Sequence, residues 1–224
     1  PNTSSHDLDF TNPKIKIKNL FFLEDQDVYR GGTLIKYSQD KLKYDYKYIK
    51  GKILITSPHE KGVNFKINGN LQLSPFYFDI NLNIHNKKVH HLIDNILQNL
   101  LLYDENYLGN LNGIFKINFT DLNNRLIKNG EINFDIKEKK INLQNSFFNI
   151  DKIGKLHTKI SFLNKQNETI FFSENKLIVN NYIEFAKTFQ IGSNKVKYIK
   201  QIYFDLEKNI GSKVVKISNI RINN

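Results

Sequence analysis

The stretch INGNLQLSPFYFDINLNIH, Ile67 to His85, alternates apolar and polar residues on both sides of a Ser-Pro pair. One phase carries Ile67, Leu71 and Leu73; beyond Ser74-Pro75 the opposite phase carries Phe76, Phe78, Ile80, Leu82 and Ile84. Asn70, Gln72, Asp79, Asn81 and Asn83 lie between them. A period of two sends successive side chains to opposite sides of a strand, so one face of a sheet is apolar and the other polar. The Ser-Pro pair marks a turn or bulge at which the phase switches. What the apolar face touches is then the functional question: an ordinary core, or something bound.

The same alternation runs along the chain. KIKIK at Lys14–Lys18 and LFFL at Leu20–Leu23 start it, and Arg30-Gly31-Gly32 reads as a turn before TLIKY. In LKYDYKYIKGKILIT, Leu42, Tyr44, Tyr46 and Tyr48 take one face while Lys43, Asp45 and Lys47 take the other. LNGIFKINF contributes Phe115, Ile117 and Phe119, and GEINFDI contributes Ile132, Phe134 and Ile136. Turn formers in NGN, DLNN, KNG, DKIG and KNIG separate the strands. Closely spaced strands of this kind predict a long, curled antiparallel meander. Glycine followed by an alternating strand recurs at Gly69, Gly113, Gly130 and Gly154, with irregular spacing. We read residues 1–13 as a loose polar lead-in and 14–224 as one β-rich domain, with 14–57 as a hairpin layer before the main sheet.

One segment follows another period. In KKVHHLIDNILQNLLLYDENYLG the residues Val89, Leu92, Ile93, Ile96, Leu97, Leu100 and Leu101 recur at helical spacing. This predicts an amphipathic helix over about 87–103, packed on the sheet or capping it. A second, weaker helical piece covers Asn181 to Gln190.

Composition narrows the function classes. The chain has 224 residues, no cysteine and a formal net charge of +11. Disulfides, zinc fingers and thiol catalysis are thereby excluded. Only Arg30, Arg125 and Arg221 are arginines and Ala186 is the only alanine. That pattern fits AT-rich coding, which replaces Arg and Ala by Lys, Asn and Ile, so part of the positive charge is compositional. A lysine-rich surface is still attracted to anionic membranes and polyanions. No apolar run reaches the ~18–20 residues of a membrane-spanning helix. The chain opens on Pro1 and contains no Met, which points to a piece of a longer protein; any signal or anchor would then lie upstream.

Motifs of chemistry are scarce. His90 and His91 are adjacent, about 100° apart on a helix, and lack the spacing that puts two metal ligands on one face; His85 lies nearby. Asp79, Asp135 and Asp205 sit on polar phases of strands. No P-loop, G-x-G-x-x-G or G-x-S-x-G is present. We therefore expect a non-enzymatic protein with no cofactor and no metal. Lys36–Lys52 interleaves lysines with Tyr37, Tyr44, Tyr46 and Tyr48, as base-stacking surfaces do. Alternation, however, sends tyrosines and lysines to opposite faces, so no specific nucleic-acid binding is expected.

The glycine-led strands, the helix after INLNIHNKKVHHL, and the closing block FAKTFQIGSNKVKYIKQIYFDLEKNIGSKVVKISNIRINN together resemble the C-terminal region of the bacterial AsmA-like family. That family, with its TamB and YhdP relatives, belongs to the bridge-like lipid-transfer proteins. The resemblance runs from about Lys52 onward. It implies a periplasmic, inner-membrane-anchored protein whose β-groove shields phospholipid acyl chains during transport or outer-membrane assembly. On that reading Leu71, Leu73, Phe76, Phe78, Ile80 and Leu82 line the groove with Phe115, Ile117, Phe119, Ile132, Phe134 and Ile136. The helix would present Val89, Leu92, Ile93, Ile96, Leu97 and Leu100 to it. The alternatives are a structural envelope domain with nothing bound, and a lysine-rich polyanion binder.

Overall fold

The computed structural model describes residues 3–11, 14–37, 40–58, 64–85, 111–137, 140–165, 168–209 and 214–223. They form a mainly β protein built on one open sheet of 14 strands, whose order in space is their order in sequence. The first half comprises β1 (Thr3–Thr11), β2 (Lys14–Asp25), β3 (Val28–Tyr37), β4 (Asp40–Ile49), β5 (Lys52–Thr56), β6 (Phe65–Leu73) and β7 (Phe76–His85). The second comprises β8 (Gly113–Thr120), β9 (Ile127–Lys137), β10 (Lys140–Ile150), β11 (Gly154–Lys165), β12 (Glu168–Val179), β13 (Gln201–Asn209) and β14 (Val215–Asn223). Two short helices, α1 (Tyr182–Phe189) and α2 (Ser193–Val196), lie between β12 and β13.

Three expectations need correction. Thr3–Thr11 is no loose lead-in: β1 pairs with β2 along its length, from Thr3 opposite Phe22 to Thr11 opposite Lys14. Arg30-Gly31-Gly32 is no turn either. It runs through the middle of β3, and the chain reverses earlier, at Gln26-Asp27, where Asp27 takes a positive φ of 62°. Finally, the meander is not wholly antiparallel, because β7 and β8 pair in parallel. A parallel pair cannot close with a hairpin and needs a long return connection. The interval between His85 and Gly113, the longest between successive strands, supplies one. The helix expected over 87–103 falls within 86–110, outside the described residues. The weaker expectation over Asn181–Gln190 coincides with α1. There Asn181 caps the helix, accepting from the Ile183 and Glu184 amides, and Gln190 closes it in a left-handed conformation.

The phase switch at Ser74-Pro75 has a simple cause. The pair is a two-residue turn with a cis peptide, and Leu73 lies opposite Phe76. A two-residue loop reverses the parity of inward positions, so both apolar phases share a face. Lys50-Gly51 makes the corresponding turn between β4 and β5, with positive φ at both residues, as tight hairpins require.

The sheet bends toward its apolar face, and the glycines record it. The ladder places Gly31, Gly69, Gly113, Gly130 and Gly154 on that face. A Cβ at any of them would strike a backbone carbonyl of the adjacent strand at 1.9–2.6 Å. Gly32, which points the other way, would meet nothing closer than the Asp45 side chain at 3.2 Å. Strands approach one another more closely on the concave side, so these five glycines mark the inside of the curl.

Candidate functional site

Register alone assembles one face from residues scattered over the chain. Tyr46 lies opposite Ile55, Ile55 opposite Gly69, Gly69 opposite Ile80, and Ile80 opposite Phe115, which faces Phe134. Beyond a bulge at Asn145 the same face continues through Phe148, Leu156, Leu177 and Ile202 to Ile222. With strands ~4.8 Å apart, the apolar surface from β4 to β14 extends roughly 50 Å across the strands. Among the described residues no second sheet covers it, and α1 and α2 reach only its end near β11–β13.

All twelve groove residues read from the sequence share this face, but their exposure differs along it. Ile117, Phe119, Ile132 and Phe134 belong to a closed cluster with Ile84, Leu143, Phe148 and Ile160, against which Leu82 and Phe115 pack. Phe76, Phe78, Ile80, Leu71 and Ile136 are half-buried, and Leu73 is 45% exposed. The accessible part of the face therefore flanks the cluster. One concavity of about 200 Å³ opens beside it against Phe134, Phe148, Phe171 and Leu206. A second, of about 410 Å³, lies over β2–β6 against Ile17, Tyr44, Tyr46, Ile53 and Leu71. The helix residues Val89, Leu92, Ile93, Ile96, Leu97 and Leu100 lie outside the described residues.

Sequence reasoning missed the polar residues embedded in the apolar face. Ser146, Thr158 and Asn175 stand opposite one another on β10, β11 and β12, all buried. Ser146 Oγ accepts from the Asn133 amide at 3.1 Å. Asn175 donates through Nδ2 to the Ser173 carbonyl and hydroxyl at 3.0 and 2.9 Å. A similar row lies on β2 and β3, where Thr33 donates to Asn19 Oδ1 at 2.8 Å. Satisfied polar pairs in an apolar wall penalise a one-residue slip and so hold the strands in register.

The opposite face is largely polar and rich in lysine, apart from an apolar patch of Leu20, Phe22, Leu34 and Leu54 on β2–β5. Its ion pairs, Lys18–Asp7, Arg30–Glu24, Lys47–Glu24 and Lys159–Glu174, are largely solvent-exposed and contribute little to stability. The Arg30 guanidinium, which donates to Glu24, holds that carboxyl below its ordinary range. A hollow of about 830 Å³ runs past Gly32 between Leu20, Phe22, Leu34 and Leu54. Asp79, Asp135 and Asp205 all fall on this polar side; Asp205 lies opposite Glu174, among Lys159, Lys176 and Arg221, while Asp79 and Asp135 stand on β7 and β9. Among the described residues no group of three His, Cys, Asp or Glu side chains could hold a metal. His85 is hydrogen-bonded to Thr120. Also among the described residues, no helix is long and apolar enough to cross a membrane.

His157 faces this polar side, beside Lys155 on its own strand and opposite Lys176. Burial, then the two ammonium groups, push its pKa below the ordinary histidine value. The folded state thus favours the neutral ring, while the unfolded chain takes up a proton more readily. Stability contributed here is present above the ordinary histidine range and falls as pH drops through it toward the lower folded value. We expect His157→Gln to flatten that segment of a Tm-versus-pH profile, by less than about 1 kcal/mol because solvent screens the site. An unchanged profile would remove His157 from the acid response.

No family model, curated protein or solved structure matches the chain. What the fold defines is a class: a long open β-meander with one continuous, inward-bent apolar face and a largely polar, lysine-rich outer face.

Proposed function

We propose that this chain is a non-enzymatic β-groove module that shelters lipid acyl chains, as the AsmA-like bridge-like lipid-transfer proteins do. The observation that carries this reading is the apolar face, which register links from Tyr46 on β4 to Ile222 on β14 and which bends inward at five glycines. A surface of that shape accommodates a hydrocarbon chain at ~0.8 kcal/mol per buried CH₂. It offers few hydrogen bonds to select one chain, which suits bulk phospholipid movement. Phospholipids are the proposed cargo. A bacterial periplasmic location, held by an inner-membrane anchor upstream, accompanies the same reading.

The closed cluster refines where lipid would lie. Ile117 and Phe119 are enclosed by the cluster, whereas Ile132 and Phe134 border the small concavity beside it, so acyl chains would run along the flanks, over Leu71, Leu73, Phe76 and Phe78 on one side and Phe171 and Leu206 on the other. That cluster also favours a second reading, a structural envelope domain filled by its own side chains.

The two separate by experiment. Protein purified without detergent should carry phospholipid detectable by mass spectrometry. Photo-crosslinking residues at Phe78 and Phe171 should label that lipid, while one at Ile117 stays silent. Absence of lipid, with all three positions silent, would favour the structural reading.

A further inference from the structure

The connection between β12 and β13 carries a surface that the groove does not use. Across residues 182–200, Phe185, Ala186 and Val196 are buried and anchor both helices against Ile153, Leu177 and Val179. Three backbone bonds brace it further: Ile191 to Ala186 at 2.9 Å, Lys195 to Gly192 at 2.9 Å and Ile199 to Val196 at 3.0 Å. The segment is therefore a firm projection. Yet it shows water Ile183 at 56% exposure, Phe189 at 50%, Ile191 at 39% and Tyr198 at 68%. Phe189 rests one side of its ring on Phe185, 4.8 Å between centroids, and leaves the other to water, while Ile183, Ile191 and Tyr198 lie outside the buried cluster.

Charge accompanies them. Lys187, Lys195, Lys197 and Lys200 lie in the same segment, with Glu184 its one acidic residue. Among the described residues, none of these lysines has a carboxylate within ion-pair distance, whereas several lysines elsewhere do. Lys197 lies over the Tyr198 ring, 5.7 Å from its centroid. Exposed aromatic and aliphatic anchors among unneutralised lysines fit an anionic bilayer surface. The rings enter the headgroup layer and the lysine stems follow, keeping their ammonium groups at the phosphates.

We propose that the α1–α2 projection docks the protein on an anionic lipid membrane, with Phe189 and Tyr198 as the inserted anchors. Nucleic acid would meet the lysines, but it gives no reason for Ile183 and Ile191 to be exposed. Docking here is independent of lipid storage in the groove, and either property stands without the other.

The test is sedimentation of the full chain with phosphatidylcholine vesicles, with and without phosphatidylglycerol. The anionic vesicles should pull the protein down, and raising salt should weaken but not abolish this. Phe189→Ser with Tyr198→Ser should reduce binding about tenfold or more, as removal of two interfacial anchors implies. Lys195→Gln with Lys197→Gln should reduce it while also flattening the salt dependence. All four residues are exposed, and an unchanged circular dichroism spectrum checks the fold. Lys41→Gln with Lys52→Gln, on the distant cationic face, should leave binding unchanged. Three results overturn the proposal: no binding to anionic vesicles; binding indifferent to Phe189 and Tyr198; or equal loss from the Lys41 and Lys52 pair. The last would mean attraction by net charge alone, and complete displacement by an RNA oligonucleotide at low salt would point the same way.

Discussion

Gly154→Val is expected to break the joint between β11 and β12, lowering unfolding free energy by on the order of 3 kcal/mol or more. At Gly154 the chain leaves the Asp151–Ile153 turn and enters β11 opposite Val179. A Cβ there would lie 1.9 Å from the Ile178 carbonyl oxygen and 3.0 Å from its carbon. Both belong to backbone, so no rotamer relieves the overlap and the strands must separate. The same turn feeds the second cluster, since the Ile153 carbonyl accepts from the Asn180 and Asn181 amides at 2.8 and 3.1 Å. Strand separation would therefore loosen the seat of α1 as well. Gly192→Ala is the control, because a Cβ at Gly192 meets nothing within 4 Å. It should be neutral or stabilise by a few tenths of a kcal/mol through the unfolded chain. Urea midpoints followed by circular dichroism decide the matter. Equal midpoints for the two variants would mean that the bend at β11–β12 imposes no constraint.

That glycine shows how far the sequence was legible. The recurrence of Gly69, Gly113, Gly130 and Gly154 is visible in the letters, but the reason is not: Gly69 and Gly130, in the NGN and KNG stretches expected to separate strands, lie inside β6 and β9. The reason lies in the approach of a neighbouring strand whose register only the fold defines. Alternation was read correctly wherever hairpins are tight, because parity is conserved or reversed by a known turn length, as at Ser74-Pro75. It misled at β1, where Ser4, Ser5 and Asp7 look like a tail yet pair with β2. It misled again at Gly31-Gly32, where a turn dipeptide lies mid-strand because Tyr46 crosses over Gly31. The parallel β7–β8 pair has a signal in the long interval between His85 and Gly113, but a helical period over about 87–103 carries no information on how the flanking strands pair. Ser146 is hidden from the sequence because the bulge at Asn145 shifts the phase and brings it onto the apolar face; Thr158 and Asn175 follow the apolar phase of β11 and β12 without interruption. Which apolar residues are closed off, and which stay open, depends on curvature. Period-two reasoning carries no information about that.

Curvature makes the last prediction, a dissociation between core and flank. Phe119→Ala should destabilise the protein by about 3–5 kcal/mol, the usual cost of emptying a large aromatic site. Phe119 is 1% exposed, lies opposite Ile84 and Gly130, and packs in a cluster whose members come from β7 to β11. Collapse into the space is opposed by Gly130, where a Cβ would already meet the Phe147 carbonyl oxygen at 2.6 Å. Leu73→Ser alters a side chain on the same face but 45% exposed, beside the Ser74-Pro75 turn. Its cost should stay within about 0.5–1 kcal/mol, as for other exposed sites. If the flank is where acyl chains lie, Leu73→Ser, combined with Leu71→Ser, should lower the lipid recovered with the protein several-fold while the urea midpoint barely moves. The reverse pattern, with Phe119→Ala tolerated and Leu73→Ser unfolding the chain, would mean that the closed cluster is not the core. If both variants keep their lipid, the flank is not where it binds.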